Sequence, residues 1–165
     1  MRRPKTLATI AIALGASACA GGVAAPRALP VEVLHASLQC DDVAGPSVRL
    51  VTDAVALRAA IAPSLNMDEP SRGAVELPPP GVAVLLRVDM GERPTAGYAL
   101  AVVRAEHSER RLVLHVDWQE PAPGAIVAQV VTRPCVIIRL PPVAIEEVHV
   151  LDRSGRMRIS QRLAR

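Results

Sequence analysis

From residue 31 onward the chain is a succession of short apolar runs separated by turn residues. Val31–Leu38 alternates roughly between apolar and polar positions and Val48–Thr52 is a second such run, so both are predicted strands. Thr52 or Asp53 can cap the helix formers that follow, which predicts one short helix over Asp53–Ile61, ending before Pro63, with Val55, Ala59 and Ile61 on its apolar face. Pro63, Pro70, Pro78, Pro79 and Pro80 then mark a loop. Beyond it the pattern predicts strands at Val82–Met90, Ala99–Ala105, Arg111–Trp118, Ile126–Thr132, Cys135–Leu140, Glu146–Leu151 and Arg156–Gln161, with Asp152-Arg153-Ser154-Gly155 as the turn joining the last two. In Arg111–Trp118 the apolar Leu112, Leu114, Val116 and Trp118 alternate with Arg111, Val113, His115 and Asp117, so one face of that strand is expected in a core. The expectation is an all-β domain with one short helix, a small antiparallel β-sandwich or barrel, with an immunoglobulin-like arrangement among the options.

The opening residues follow a different pattern. Arg2, Arg3 and Lys5 precede an apolar run, Leu7–Leu14, that is too short to span a bilayer comfortably, the arrangement of a signal peptide over residues 1–18. Ala16-Ser17-Ala18-Cys19 resembles a bacterial lipobox, which makes Cys19 the expected site of lipidation; ordinary cleavage after Ala18 or Ala25 is the alternative. Gly21–Pro30 is small and unpatterned, so residues 19–30 read as a lipidated tether and residues 31–165 as one β domain. Ala20 after the cysteine resembles outer-membrane lipoproteins, so the expected location is the bacterial cell envelope, with the domain lipid-anchored at the outer membrane and facing the periplasm.

The signal changes how charge is read. The chain holds 19 Lys plus Arg against 16 Asp plus Glu, and the signal contributes three basic residues and no acidic ones, which leaves 16 against 16. The mature chain is near neutral, and Trp118 and Tyr98 are its only aromatic residues, so neither a basic patch nor a stacking platform points to nucleic acid. Beyond Cys19, the remaining cysteines are Cys40 and Cys135. They are either a disulfide, as an oxidising compartment permits, or two small buried hydrophobes, because spacing alone supplies no distance.

No catalytic motif stands out. G-x-S-x-G, H-E-x-x-H, a phosphate-binding glycine loop and C-x-x-C are all missing from the sequence. Cys135 follows Pro134 and opens an apolar strand, the setting of a structural cysteine rather than a nucleophile. His115 with Asp117, and Glu147 with His149, lie two apart on predicted strands, a chelating spacing that lacks the third ligand a metal needs. The expectation is a chain without catalytic residues, metal or cofactor.

What remains is the loop Gly91-Glu92-Arg93-Pro94-Thr95-Ala96-Gly97-Tyr98, where Pro94 fixes its own φ and Gly97 tolerates values closed to other residues. After it come Pro121-Ala122-Pro123-Gly124, then Gln129 with Thr132-Arg133-Pro134, then Val136-Ile137-Ile138-Arg139-Leu140-Pro141. In this order the run Val82–Pro142 resembles the C-terminal domain family of the protease complex subunit PrcB, with Ala96 in place of the first of two glycines. The resemblance implies a non-catalytic envelope protein that acts by binding, with a protease or another envelope protein as its partner. Arg93, Pro94, Thr95, Gly97, Tyr98, Pro123, Gly124, Arg133 and Pro134 are then the expected partner-binding loop residues. A weaker likeness is to chagasin-type cysteine peptidase inhibitors, whose three loops sit at one end of an immunoglobulin-like sandwich. It implies the alternative of a peptidase inhibitor that inserts the loops around 93–98, 123–124 and 133–135 into a protease cleft, although Arg93, the middle loop and Cys135 all depart from that pattern.

Overall fold

A computed structural model describes residues 25–41, 43–61 and 77–163. The expected signal peptide and Cys19 lie outside these residues, as does most of the proline-rich loop. Nine strands and a helix follow in chain order: β1 (Arg27–Leu29), β2 (Glu32–Ser37), β3 (Ser47–Leu50), α1 (Ala54–Ile61), β4 (Val84–Asp89), β5 (Ala99–Ser108), β6 (Arg111–Gln119), β7 (Cys135–Leu140), β8 (Glu147–Leu151) and β9 (Met157–Arg162). They form two sheets, ordered β1-β5-β6-β8-β9 and β2-β7-β4-β3. The result is an all-β sandwich rather than a closed barrel. Every pairing is antiparallel except β6 with β8. Between those two the chain crosses to the facing sheet as β7 and returns, and two reversals bring it back in its original direction.

Alternation dictates which side chains meet between the sheets. Leu112, Leu114, Val116 and Trp118 of β6 face Leu86 and Val88 of β4 and Val136, Ile138 and Leu140 of β7, and together with Val48, Val148, Val150 and Ile159 they make the main core. Branched aliphatic side chains fill it because the sequence offers no Phe. Leu29 of β1 is buried in this core, so Arg27–Leu29, within the stretch expected to be tether, is a paired strand against His107, Glu106 and Ala105 of β5. The structured unit therefore starts earlier than residue 31.

The central strands of the second sheet, β4 and β7, are buried on both faces. The outer side of that sheet carries Leu85 and Ile137, which pack with Val51 and with Leu57 of α1. The helix therefore meets the sheet through Leu57, while Val55, expected on its apolar face, is exposed. Eight residues make barely two turns, so α1 depends on this docking for its stability. Beside the apolar patch the same face buries a charged group: Arg87 Nε donates to Asp89 Oδ1 at 2.8 Å, Arg87 Nη1 bonds Asp41, and Arg49 lies 3.5 Å from Asp89 Oδ2. Burial pushes the Asp89 carboxyl up, against the pull of Arg87. Cys40 and Cys135 form a disulfide over this face, with Cα atoms 6.1 Å apart.

The predicted hairpin between β8 and β9 is present, and Asp152 is its centre. Its Oδ1 accepts from the Ser154 N–H at 2.9 Å, the Ser154 hydroxyl at 2.6 Å and the Arg156 N–H at 3.0 Å, while Oδ2 accepts from Arg158 Nε at 2.8 Å. These bonds, the Ser154 hydroxyl foremost, lower the carboxyl to about 2 from its ordinary 3.8. A folded value below the unfolded one means that the stabilisation is complete above the ordinary value and is lost as pH falls toward the folded value. Asp152→Asn is expected to lower the melting temperature at neutral pH and to flatten its fall between pH 4 and pH 2; thermal melts across that range check both.

Candidate functional site

The loop between β4 and β5 is anchored before it is exposed. Met90 N–H donates to the Pro134 carbonyl at 2.9 Å, and Glu92 N–H donates to the Val43 carbonyl at 3.1 Å. Gly91 has φ +76°, and a Cβ there would stand 2.6 Å from the Gly45 backbone, so a glycine at 91 lets these segments touch. Arg93 then pairs with Thr132 through both backbone bonds, at 2.8 and 2.9 Å. Ala96 N–H donates to the Ala128 carbonyl at 3.0 Å, and the Thr132 hydroxyl donates to the Thr95 carbonyl at 3.0 Å. Gly97 has φ +93° and lies against the Pro121 ring and Val127. The loops around 91–98, 121–124 and 128–134 are therefore brought together at one end of the sandwich, because β4 ends where β7 begins and β5 begins where β6 ends.

Side chains divide that end into a fixed part and a presented part. Pro134 is buried, and Arg133 is held through its N–H to the Leu38 carbonyl at 2.8 Å, its carbonyl to Cys40 N–H at 3.1 Å, and its guanidinium to Glu92 at 2.7 Å. Pro94, Gly97, Pro123 and Gly124 are exposed, and Arg93, Thr95 and Tyr98 are half-buried. The Arg93 guanidinium lies 5.4 Å from the Tyr98 ring centre and 5.9 Å from that of Trp118. Arg158 lies 5.5 Å from the Trp118 ring, and Glu120 ties the group together by accepting from Trp118 Nε1 at 3.0 Å and Arg158 Nη1 at 3.2 Å. Two cations held on one indole form a preorganised edge, in which little side-chain freedom is left to lose on binding. The sequence pattern places Trp118 in the core and gives no role to Arg158 or Glu120; Arg93 and Arg158 are far from Trp118 along the chain, which leaves no local signal of the stack.

Ile126–Thr132, predicted as a strand, belongs to neither sheet. Residues 125–131 run without a turn or bend, and the isolated bridges of Thr132 with Arg93 and of Gln39 with Arg133 tie down its end. The other sequence candidates lie elsewhere. Cys135 is in the disulfide. On the outer face of the β1–β9 sheet, Asp117 pairs with Arg153 at 2.8 Å, His149 lies 3.1 Å from Glu147, and His115 lies 3.7 Å from Glu106. Burial and the nearby Arg104 lower the His115 pKa. Among the described residues no group of three His, Cys, Asp or Glu is placed to hold a metal ion.

Residues 85–141 match the protein family described as PrcB C-terminal. The matched stretch runs from β4 through β7 and contains all three loops of the cluster. No curated protein and no solved structure matches the chain.

Proposed function

We propose that this chain is a non-catalytic accessory subunit that binds a protein partner of the bacterial cell envelope, with a protease complex as the first candidate. The observation that carries the reading is the family match over 85–141, which hints at association with a protease complex and falls on the strands that build the loop cluster. The contact surface is the presented edge of that cluster: Arg93, Thr95 and Tyr98, with Pro123 and Gly124 beside them. Aromatic and arginine side chains suit such a role because they bring large contact area and fixed geometry. Lipidation at Cys19 would hold the domain at the outer membrane facing the periplasm, and the Cys40–Cys135 disulfide supports placement outside the cytoplasm.

The inhibitor alternative rests on the same three loops. The buried Pro134 leaves 93–98 and 123–124 as the elements able to enter a cleft. An inhibition assay against cysteine peptidases separates the two readings.

The direct test is crosslinking in the native envelope followed by identification of the partner. Recovery of a peptidase-complex subunit is expected, reduced about tenfold by Arg93→Ala, the equivalent of about 1.4 kcal/mol of binding. Thr95→Ala keeps the carbonyl that accepts the Thr132 hydroxyl, so it tests the surface with the loop intact. Recovery of no peptidase component from the wild-type chain would overturn the reading.

A further inference from the structure

The edges of the two sheets are guarded in ways that discourage added strands. β1 is three residues long, β2 is bulged between Val33 and His35, the Val48 N–H of β3 is taken by the Gln161 side chain at 2.9 Å, and β9 carries Arg158 and Arg162. The segment Ala125–Val131 carries no charge and no bulge; like β3 it is met by glutamine side chains, at the Val127 and Val131 carbonyls, but its outward N–H groups are left open. From Ala122 to Thr132 the chain has no charged residue, and Ile126, Val130 and Val131 are exposed at 103, 47 and 42%.

Its backbone shows which side is open. Successive residues of an extended chain direct their N–H and C=O groups to opposite sides. The Ala128 carbonyl and both Thr132 groups face the 93–96 loop, whereas both Arg133 groups face the other way and are met by Leu38 and Cys40. On that second side the Val131 carbonyl is met by the Gln39 side-chain amide at 3.2 Å and the Val127 carbonyl by the segment's own Gln129 amide at 3.3 Å. The N–H groups of Val127, Gln129 and Val131 have no partner within the described residues. Two side-chain amides therefore stand where the N–H groups of a neighbouring strand would stand.

We propose that this edge pairs with the same edge of a second copy of the chain, as an antiparallel two-stranded contact across a two-fold axis at Ala128. The register follows from the open groups: Val127 exchanges backbone bonds with Gln129 of the second copy, Ala125 faces Val131 of the second copy, and Arg133 keeps its bonds to Leu38 and Cys40. Ala128 then falls at a non-hydrogen-bonded position, where facing Cα atoms approach to about 4.5 Å and a small side chain fits best. An uncharged segment brings no like charges together when it meets itself, and identical surfaces are what a two-fold contact requires. The proposal is independent of the envelope partner, since it uses the opposite side of the segment from the Arg93 loop.

Cysteine crosslinking of the full-length chain in its own membranes tests it. In this register Ala128→Cys places two thiols within the range of about 4.4–6.8 Å between Cα atoms that a disulfide spans. Val130→Cys is exposed on the same segment, but its two copies lie on the order of 13 Å apart along the strands. The expected result, on mild oxidation and non-reducing electrophoresis, is a disulfide dimer for Ala128→Cys and a dimer band about tenfold weaker for Val130→Cys. Absence of the Ala128→Cys dimer, equal bands from both variants, or a crosslink from position 128 to a different protein would each overturn the second-copy contact.

Discussion

Removing the Cys40–Cys135 bridge, by reduction or as Cys40→Ala with Cys135→Ala, is expected to cost about 4–5 kcal/mol of folding stability. The bridged residues are 95 apart in sequence, so the open chain regains the entropy of a long loop when the bond is lost. A domain of this size holds a total of roughly 5–15 kcal/mol, so the reduced protein should be close to unfolding at physiological temperature. The bridge also holds in place the segment that carries Asp41 and Val43, the residues that reach Arg87 and the Glu92 N–H. Urea denaturation of the oxidised, reduced and doubly substituted proteins measures the effect. A midpoint unchanged by reduction would mean that the segment is held well enough by its bonds to Arg133, Arg87 and Glu92 without the bridge.

Strands with a buried face were legible because alternation is a local property. Leu112, Leu114, Val116 and Trp118 announced β6 and its orientation, and the Asp152–Gly155 turn announced its hairpin, since both follow from neighbouring residues. Pairing was not legible, because it is decided by residues far away in sequence. Ile126–Thr132 has the composition of a strand, yet neither sheet takes it in, so local pattern alone predicts a sheet strand that does not form. Arg27–Leu29 looks like linker and becomes β1 only because β5 offers an edge. On the helix, Leu57 rather than Val55 is buried because the outer face of the β2–β3 sheet, not helical periodicity alone, sets which side docks. At the candidate site, Pro94 and Gly97 signalled a tight loop correctly, but nothing near Arg93 in sequence indicates that its guanidinium rests on Trp118.

Arg87 tests the other feature that sequence concealed, a charged side chain in the middle of a buried strand. Arg87→Ala is expected to destabilise the fold by about 3–5 kcal/mol, because it leaves a buried carboxylate without its main partner. Asp89 is 1% exposed, and of its two arginine contacts the 3.5 Å approach of Arg49, itself largely solvated, is a weak substitute for the 2.8 Å bond to Arg87. The sign of the effect reverses when both charges go. Arg87→Met with Asp89→Leu removes the desolvation cost along with the attraction and is expected to be near neutral or stabilising, with any residual loss traced to Asp41, which is partly solvated without its partner. The pair of measurements separates a contact that stabilises the fold from one that is merely costly to break. If the double variant loses as much as Arg87→Ala, then the ion pair contributes net stability to this face. If instead it recovers the wild-type midpoint, the charges are dispensable for folding, and the outer face of the β2–β3 sheet is held by Leu57, Leu85, Ile137 and the disulfide.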